Sequence, residues 1–144
     1  MTSLEKIQSS IGKEFTESPS PFMRWLNPII VAAEQGKLEF QYAIRPEWLN
    51  PVGNLHGGVT AAIIDDIIGT TMFSLNEANF YTTINNVIDY FSSITGDESI
   101  VAKTTIIKKG KQFINAECEI WNSDKSRLIA KGTSNLFKTE IKKY

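Results

Sequence analysis

The chain has 144 residues, of which 42% are hydrophobic and 22% charged, and its 15 basic and 16 acidic side chains leave a net charge of −1. This size and composition predict one globular domain over residues 1–144 with a core of its own, and the balanced charge argues against a nucleic-acid-binding or membrane-surface protein. No apolar run reaches the ~20 residues that a membrane span requires.

The use of cysteine and histidine indicates the compartment. Cys118 is the only cysteine and His56 the only histidine, so an intrachain disulfide is excluded and a zinc site lacks its usual ligands. Residues 1–6 lack the basic and apolar regions of a signal peptide. We therefore expect a reduced, cytoplasmic protein that holds no metal.

The N-terminal residues 1–20 predict a helix followed by a loop. Apolar residues recur at helical spacing over residues 3–11, which indicates a short amphipathic helix. Pro19 and Pro21 are expected to break the chain after that helix.

Two strands and a long helix are predicted next. Residues 29–33 and 38–44 have the composition of strands and flank a turn at residues 34–37. Residues 46–53 form a predicted loop into a helix of residues 57–75 that is apolar on most sides. Because such helices are usually buried, we expect a central helix wrapped by a sheet.

The second half of the chain predicts four further strands, at about residues 80–92, 98–108, 112–122 and 127–137. The segments 109–111 and 122–125 are typical of hairpin turns. Alternation places Cys118 on the apolar face of its strand, as a small core residue. A helix, two strands, a long helix and four strands predict an α+β fold with an antiparallel sheet.

The most informative stretch, residues 54–58, joins the predicted loop to the long helix and precedes two carboxylates, Asp65 and Asp66. Gly57 and Gly58 lack a Cβ, so the backbone can approach a ligand closely. The free N–H groups and the dipole of a helix N-terminus would stabilise a carbonyl oxygen that becomes an oxyanion. An acid on an apolar helix is a candidate nucleophile or general base, so the pattern indicates acyl transfer without a serine triad.

The spacing within this helix constrains the site. Gly57 and Asp65 are eight residues apart, which is about 12 Å at 1.5 Å per residue. A reacting carbonyl must lie within roughly 3–3.5 Å of its catalytic groups. One helix does not bring both groups to one carbonyl, whereas two antiparallel copies could, so we expect an active site between subunits.

The two adjacent carboxylates point about 100° apart on the helix. Asp65 shares its face with apolar residues such as Ala61 and Ile64, where an acid would be costly to bury unless it had a role. Asp65 is therefore the predicted catalytic acid. Asp66 is the predicted structural acid and the alternative catalytic one.

These features resemble the hot-dog-fold acyl-CoA thioesterases of the phenylacetate-degradation and thioesterase-superfamily type, in which a curved antiparallel sheet wraps around a long central helix. The resemblance covers roughly residues 28–138. The matching residues are Asn50, Gly53-Asn54-Leu55-His56-Gly57-Gly58, Ala61, Asp65, Tyr90-Phe91, Lys108-Lys109-Gly110-Lys111 and Leu128-Ile129-Ala130-Lys131-Gly132.

The resemblance implies hydrolysis of acyl-coenzyme A to a free acid and coenzyme A. The Gly57 N–H would polarise the thioester carbonyl, Asp65 would act as general base on water or as nucleophile, and Thr83 would hold the water. Asn50 and His56 would shape the site. Asp65 and Thr83 would come from the subunit opposite Gly57, in a homodimer or homotetramer. Coenzyme A would enter only as part of the substrate, and no cofactor would be needed.

The substrate-binding residues implied by the resemblance are Gly58, beside the carbonyl, and Lys108, Lys109 and Lys111, which would contact the phosphates of coenzyme A. The alternative for the lysines is a solvated hairpin turn. His56 has an alternative as well, because its ring could simply hold the loop backbone.

Two other functions remain open at this point. A hot-dog dehydratase or hydratase would need a catalytic histidine in a different local pattern, whereas His56 lies in the glycine motif. A non-catalytic acyl-CoA-binding module is the second alternative, and the presence of both Asp65 and Thr83 argues against it.

Overall fold

A computed structural model describes residues 1–143. Its elements, in chain order, are α1 (Ser3–Gln8), α2 (Pro21–Leu26), β1 (Ile29–Glu34), β2 (Lys37–Ala43), a short 3-10 helix (Pro46–Trp48), α3 (Gly57–Phe73), β3 (Asn79–Tyr90), β4 (Ser99–Lys109), β5 (Phe113–Asn122) and β6 (Leu128–Lys142). The predicted long helix and all six predicted strands are confirmed, and the last strand, β6, runs five residues beyond its predicted end. The predicted hairpin turns join β4 to β5 and β5 to β6.

The six strands form one antiparallel sheet in the order β1-β2-β4-β5-β6-β3. Helix α3 contacts five of these strands, β2 to β6, and therefore lies against one face of the sheet. Strand β3 follows α3 in sequence but pairs only with β6, so it forms an edge of the sheet along the described chain.

Helix α3 is buried because its apolar residues cover most of its circumference. Ile63, Ile64, Ile67 and Ile68 have no exposed surface, and burying each side chain fully contributes roughly 1.5–3 kcal/mol. The sheet approaches α3 closely at Gly132, where a Cβ would lie 2.9 Å from the Ile64 side chain. This contact fixes the distance between the helix and strand β6.

The opposite edge of the sheet, β1, is covered by the N-terminal segment. The Gly12 N–H donates to the Ile30 carbonyl oxygen at 2.7 Å, and the Ile30 N–H donates to the Lys13 carbonyl oxygen at 3.1 Å. The Gln8 side chain donates to the Ala33 carbonyl oxygen at 3.1 Å. The predicted helix over residues 3–11 is shorter in the structure because the chain leaves α1 after Gln8 to make these contacts.

The sequence analysis missed helix α2, which begins directly after the predicted N-terminal helix and loop. Pro21 is the first residue of α2, where its missing N–H costs nothing because that position has no helical acceptor. The Ser20 hydroxyl caps the helix by accepting from the Met23 N–H at 3.2 Å. Residues 46–48, predicted as loop, form one turn of 3-10 helix.

Candidate active site

Asn50 organises the loop that leads into α3. Its side-chain oxygen accepts from the N–H groups of Val52 and Asn54 at 3.1 and 3.0 Å, and its own N–H donates to the Asn54 carbonyl oxygen at 2.7 Å. Asn50 therefore forms the turn that precedes the helix. This role uses the amide oxygen, and its role in the site stays a prediction.

His56 is the N-cap of α3. Its Nδ1 accepts from the Gly58 N–H at 2.9 Å, and its backbone is extended. Because Nδ1 accepts, the neutral ring carries its proton on Nε2, and the exposed ring can offer that N–H as a donor. The loop-holding interpretation of His56 is thus confirmed, and it leaves one ring nitrogen for a substrate.

Gly57 begins α3 and is held by strand β3. The Tyr90 hydroxyl donates to the Gly57 carbonyl oxygen at 2.8 Å, and a Cβ on Gly57 would lie 3.4 Å from the Tyr90 ring, an ordinary contact. Within residues 1–143 the Gly57 N–H has no acceptor. This N–H lies at the positive end of the dipole of a 17-residue helix, where an oxyanion is stabilised.

Asp65 is exposed in the single chain and lies beside the edge strand β3. Its carboxylate accepts a hydrogen bond from the Asn86 side-chain nitrogen at 2.9 Å. The buried Ser134 hydroxyl donates to the Asn86 side-chain oxygen at 2.5 Å. Ser134 thereby fixes the orientation of the Asn86 amide, so that its NH2 group faces the Asp65 carboxylate.

The sequence analysis missed Asn86. One signal was available, because Asn86 alternates with Ile88 and Tyr90 along β3 and so shares the face that looks toward α3. Its pairing with Ser134 depends on the β3–β6 register, which joins segments 48 residues apart.

Asp66, not Asp65, is the more buried of the two acids. Burial raises the pKa of Asp66 to about 6; the hydrogen bond from the Ser20 hydroxyl lowers it less, and the neighbouring Asp65 raises it further. One Asp66 oxygen is buried without a partner among residues 1–143. The prediction that Asp65 faces the apolar side was wrong, because α3 is apolar almost all round and its pattern does not define which face meets the sheet.

Thr83 lies half-buried in β3, paired with Leu136 of β6. The strand has an irregularity between Thr83 and Asn85, so the inward-facing residues change phase there. Asp65 hydrogen-bonds to Asn86 rather than to Thr83 in the described chain. The water-holding role of Thr83 stays a prediction.

The three hairpin lysines differ in their surroundings. Lys109 forms an ion pair with Glu77 at 2.7 Å, and Lys138 joins the same carboxylate at 3.0 Å. Burial opposes the charge on Glu77, but hydrogen bonds from Lys109, Tyr81 and Lys138 outweigh it and lower its pKa to about 2. Lys108 and Lys111 are exposed, and no ion pair to either occurs within residues 1–143.

The site residues run along the seam between α3 and β3. Gly57 contacts Tyr90, and eight residues further along α3 Asp65 contacts Asn86, so helix and strand run in opposite directions. Gly57 and Asp65 lie on the same helix and are about 12 Å apart along its axis. A single chain therefore presents the candidate oxyanion donor and the candidate acid at separate points.

The edge formed by β3 is apolar as well as unpaired. Ile84, Val87, Tyr90 and Phe91 each expose more than half of their side chains. Long edges with exposed apolar residues are templates for pairing with another strand. The candidate acid and its Asn86 partner lie at this edge.

Two features are absent from residues 1–143. No helix combines the length and hydropathy needed to cross a bilayer. No cluster of three or more His, Cys, Asp or Glu side chains is arranged to hold a metal ion in that part of the chain.

The antiparallel sheet around one long helix, with a glycine helix entrance, defines the hot-dog class of proteins predicted from the sequence. The sequence pattern of the thioesterase superfamily matches residues 52–129. The chain belongs to this superfamily.

Several individual proteins are similar along most of the chain. Human acyl-coenzyme A thioesterase 13 is 29% identical over 133 residues, which cover 92% of this chain and 94% of that protein. A hypothetical thioesterase protein from Streptococcus pneumoniae, solved with coenzyme A, is 25% identical with a TM-score of 0.73, and the match covers 78% of this chain and 86% of that chain. The Escherichia coli PaaI protein shares the fold, with a TM-score of 0.82 at 15% identity and coverage of 98% and 99%.

Proposed function

We propose that this protein hydrolyses acyl-coenzyme A thioesters to a free acid and coenzyme A, as a homodimer or larger homo-oligomer in the cytoplasm. The observation that carries the proposal is the pair formed by the Gly57 N–H at the start of α3 and the Asp65 carboxylate held by Asn86. Membership of the thioesterase superfamily supports it, as do the human relative named for this activity and the Streptococcus structure with coenzyme A.

The chemistry needs an oxyanion donor and a base. The thioester oxygen accepts the Gly57 N–H, and the helix dipole stabilises the negative charge that develops there. Asp65 removes a proton from a water molecule held by Thr83, the water oxygen bonds to the acyl carbon, and the carbon–sulfur bond breaks. The proton passes to the departing sulfur. Direct attack by Asp65 is the alternative route to the same products.

The site is completed by a second copy of the chain. Antiparallel pairing of two β3 edges about a twofold axis places the Thr83 half of one strand beside the Tyr90 half of the other. Since Tyr90 holds Gly57, this pairing brings the donor of one chain toward the acid of its partner. The exposed apolar residues of β3 support the pairing, and so does the separation of about 12 Å between Gly57 and Asp65 within one helix.

The remaining predicted residues bind the substrate. Asn50, Gly58 and the Nε2–H of His56 surround the carbonyl at the helix entrance. Lys108 and Lys111, with Lys109 beside Glu77, offer positive charge to the phosphates of coenzyme A. Water is the sole co-reactant, and coenzyme A takes part only as the leaving group.

The test is a panel of acyl-coenzyme A esters with a free-thiol assay. Wild type is expected to release thiol from at least one short, long or aromatic ester. Asp65→Asn is the matched control, since loss of a general base costs about 10²–10⁴-fold. No thiol release by wild type above the background without enzyme, across the whole panel, would refute the proposed activity. Equal rates in wild type and Asp65→Asn would instead refute the role of Asp65.

A further inference from the structure

A cavity of about 230 Å³ lies where the N-terminal segment covers the end of the α3–β3 seam. Its lining is mostly apolar, and no assigned role uses it. The principal lining residues are Ile7, Phe15, Pro19, Thr70, Phe73 and Phe80.

The cavity continues the line of the candidate site. Along the seam, Gly57 meets Tyr90 and Asp65 meets Asn86, and the next contact in the same direction is the cavity wall shared by Phe73 and Phe80. The cavity therefore begins past the acid, on the side away from the helix N-terminus of the same chain.

Residues that line the cavity also lie next to the two acids on α3. Ser20 lines the cavity and donates to Asp66, and Thr70 lines it one helical turn beyond Asp66. Phe80 lies three residues before Thr83 on β3. A group bound to Asp65 and to Thr83 can thus extend into the cavity while it stays in contact with the protein.

The segment that covers this cavity precedes the part of the chain that matches the superfamily pattern. Eight of its eleven lining residues lie within residues 3–20, whereas the superfamily pattern begins at residue 52. The glycine entrance, the acid and β3 belong to the matched part. The N-terminal segment adds the apolar wall.

We infer that this cavity receives the hydrocarbon end of a straight-chain acyl group and that residues 3–20 set the preferred chain length. The inference rests on the proposed thioesterase function. The cavity, at about 230 Å³ and with a mostly apolar lining, has room for a hydrocarbon chain of several methylenes. The preferred substrate is then a straight-chain acyl group of medium length, for which octanoyl serves as the test.

The chain-length profile provides the test. Each methylene buried in an apolar site favours binding about fourfold, so kcat/KM should rise from acetyl toward octanoyl esters and level off for longer chains that reach solvent. Phenylacetyl-coenzyme A measures the competing preference for an aromatic ring. A profile flat from acetyl to palmitoyl, or one in which phenylacetyl exceeds octanoyl, would overturn the inference.

Two variants change the cavity in opposite directions. Thr70→Phe fills part of it and should lower the octanoyl-to-acetyl ratio of kcat/KM by at least about tenfold. Thr133→Phe is the matched control, the same substitution on the exposed outer face of β6. Phe80→Ala enlarges the cavity at a partly exposed position and should move the plateau to longer chains. Ratios for Thr70→Phe within twofold of the control, or an unmoved plateau for Phe80→Ala, would contradict the assignment.

Binding separates this inference from the proposed function. Calorimetry on Asp65→Asn measures the affinity ratio of octanoyl- to acetyl-coenzyme A without turnover, and the same ratio is measured with Thr70→Phe added. A ratio that falls with Thr70→Phe supports the cavity even if wild type hydrolyses neither ester. A ratio near one in both proteins refutes the cavity even if wild type hydrolyses both.

Discussion

Replacing Asn86 by aspartate tests how the candidate acid is held. The wild-type amide donates to the Asp65 carboxylate at 2.9 Å and receives the Ser134 hydroxyl on its other side. Asn86→Asp keeps the shape of the side chain and the acceptor for Ser134. It replaces the donor that faces Asp65 with a second carboxylate.

The expected effect follows from the repulsion between two negative charges. At about 4 Å two unit charges interact by about 1 kcal/mol in water and about 4 kcal/mol at an effective dielectric constant of 20. Asp65 is exposed, so the lower end of this range applies. Since 1.36 kcal/mol corresponds to one pH unit, the acid limb of the kcat/KM profile should move up by about one pH unit.

The direction of the shift follows from the role of the acid. Asp65 must be ionised to act as base or nucleophile, and a neighbouring carboxylate disfavours that ionised form, so more alkaline conditions are needed. The measurement is kcat/KM against pH for a single acyl-coenzyme A ester, in wild type and variant.

Asn85→Asp is the matched control. It makes the same change of charge one residue away, where the Asn85 oxygen accepts from the backbone and side-chain nitrogens of Asn135 at 3.1 Å each. An aspartate can accept both bonds, and the position lies on the other face of β3. An acid limb that moves equally in both variants, or in neither, would refute the positioning role of Asn86.

Four further predictions address the donor, the shared site, the buried acid and the hairpin. Gly57→Pro should lower kcat by about 10²–10³-fold because it removes the N–H offered to the oxyanion, although proline itself suits the first position of a helix. Gly57→Ala keeps the N–H and should have a kcat much closer to that of wild type. Equal losses of kcat in the two variants would contradict the donor role. Refolding Gly57→Pro together with Asp65→Asn should restore about a quarter of wild-type activity, since half the dimers are mixed and each mixed dimer has one intact site of two. If folded mixed dimers are present and no activity returns, the Gly57 N–H and the Asp65 carboxylate of each site come from the same chain. The pKa of Asp66 is about 6 in the folded protein and near 3.8 in the unfolded chain, so the melting temperature should fall as pH rises from 4 to 7. Asp66→Asn should flatten this pH dependence of the melting temperature. Activity should change much less in Asp66→Asn than in Asp65→Asn. Neutralising Lys108 and Lys111 should raise KM with little change in kcat, and less so in high salt; an unchanged KM at low salt would identify a solvated turn.

The elements that the sequence predicts well are those with a strong local pattern. Helix α3 is recognisable because its apolar residues run nearly all round, and strand β5 because buried and half-buried residues alternate from Ile114 to Trp121. The glycine entrance is predictable as well, because His56, Gly57 and Gly58 act through their own backbone and immediate neighbours.

The features that the sequence did not predict depend on distant contacts. The burial of Asp66 rather than Asp65 depends on which side of an all-apolar helix meets the sheet, and Ser20 contributes from 46 residues away. The Asn86–Ser134 contact depends on strand register. Helix α2 was missed for a local reason, because Pro21 is compatible both with a chain break and with a helix start, and the Ser20 cap decides between them.

The two edges of the sheet are unequal, and this limits how copies can assemble. The β1 edge already donates and accepts hydrogen bonds with residues 12 and 13 and with Gln8, whereas the β3 edge is open. A sheet with two open edges can add strands without end and grow into fibres. With one edge closed by its own N-terminal segment, edge-to-edge growth of this chain would end after a single pairing. The pairing that we propose for the active site would therefore also use up the open edge.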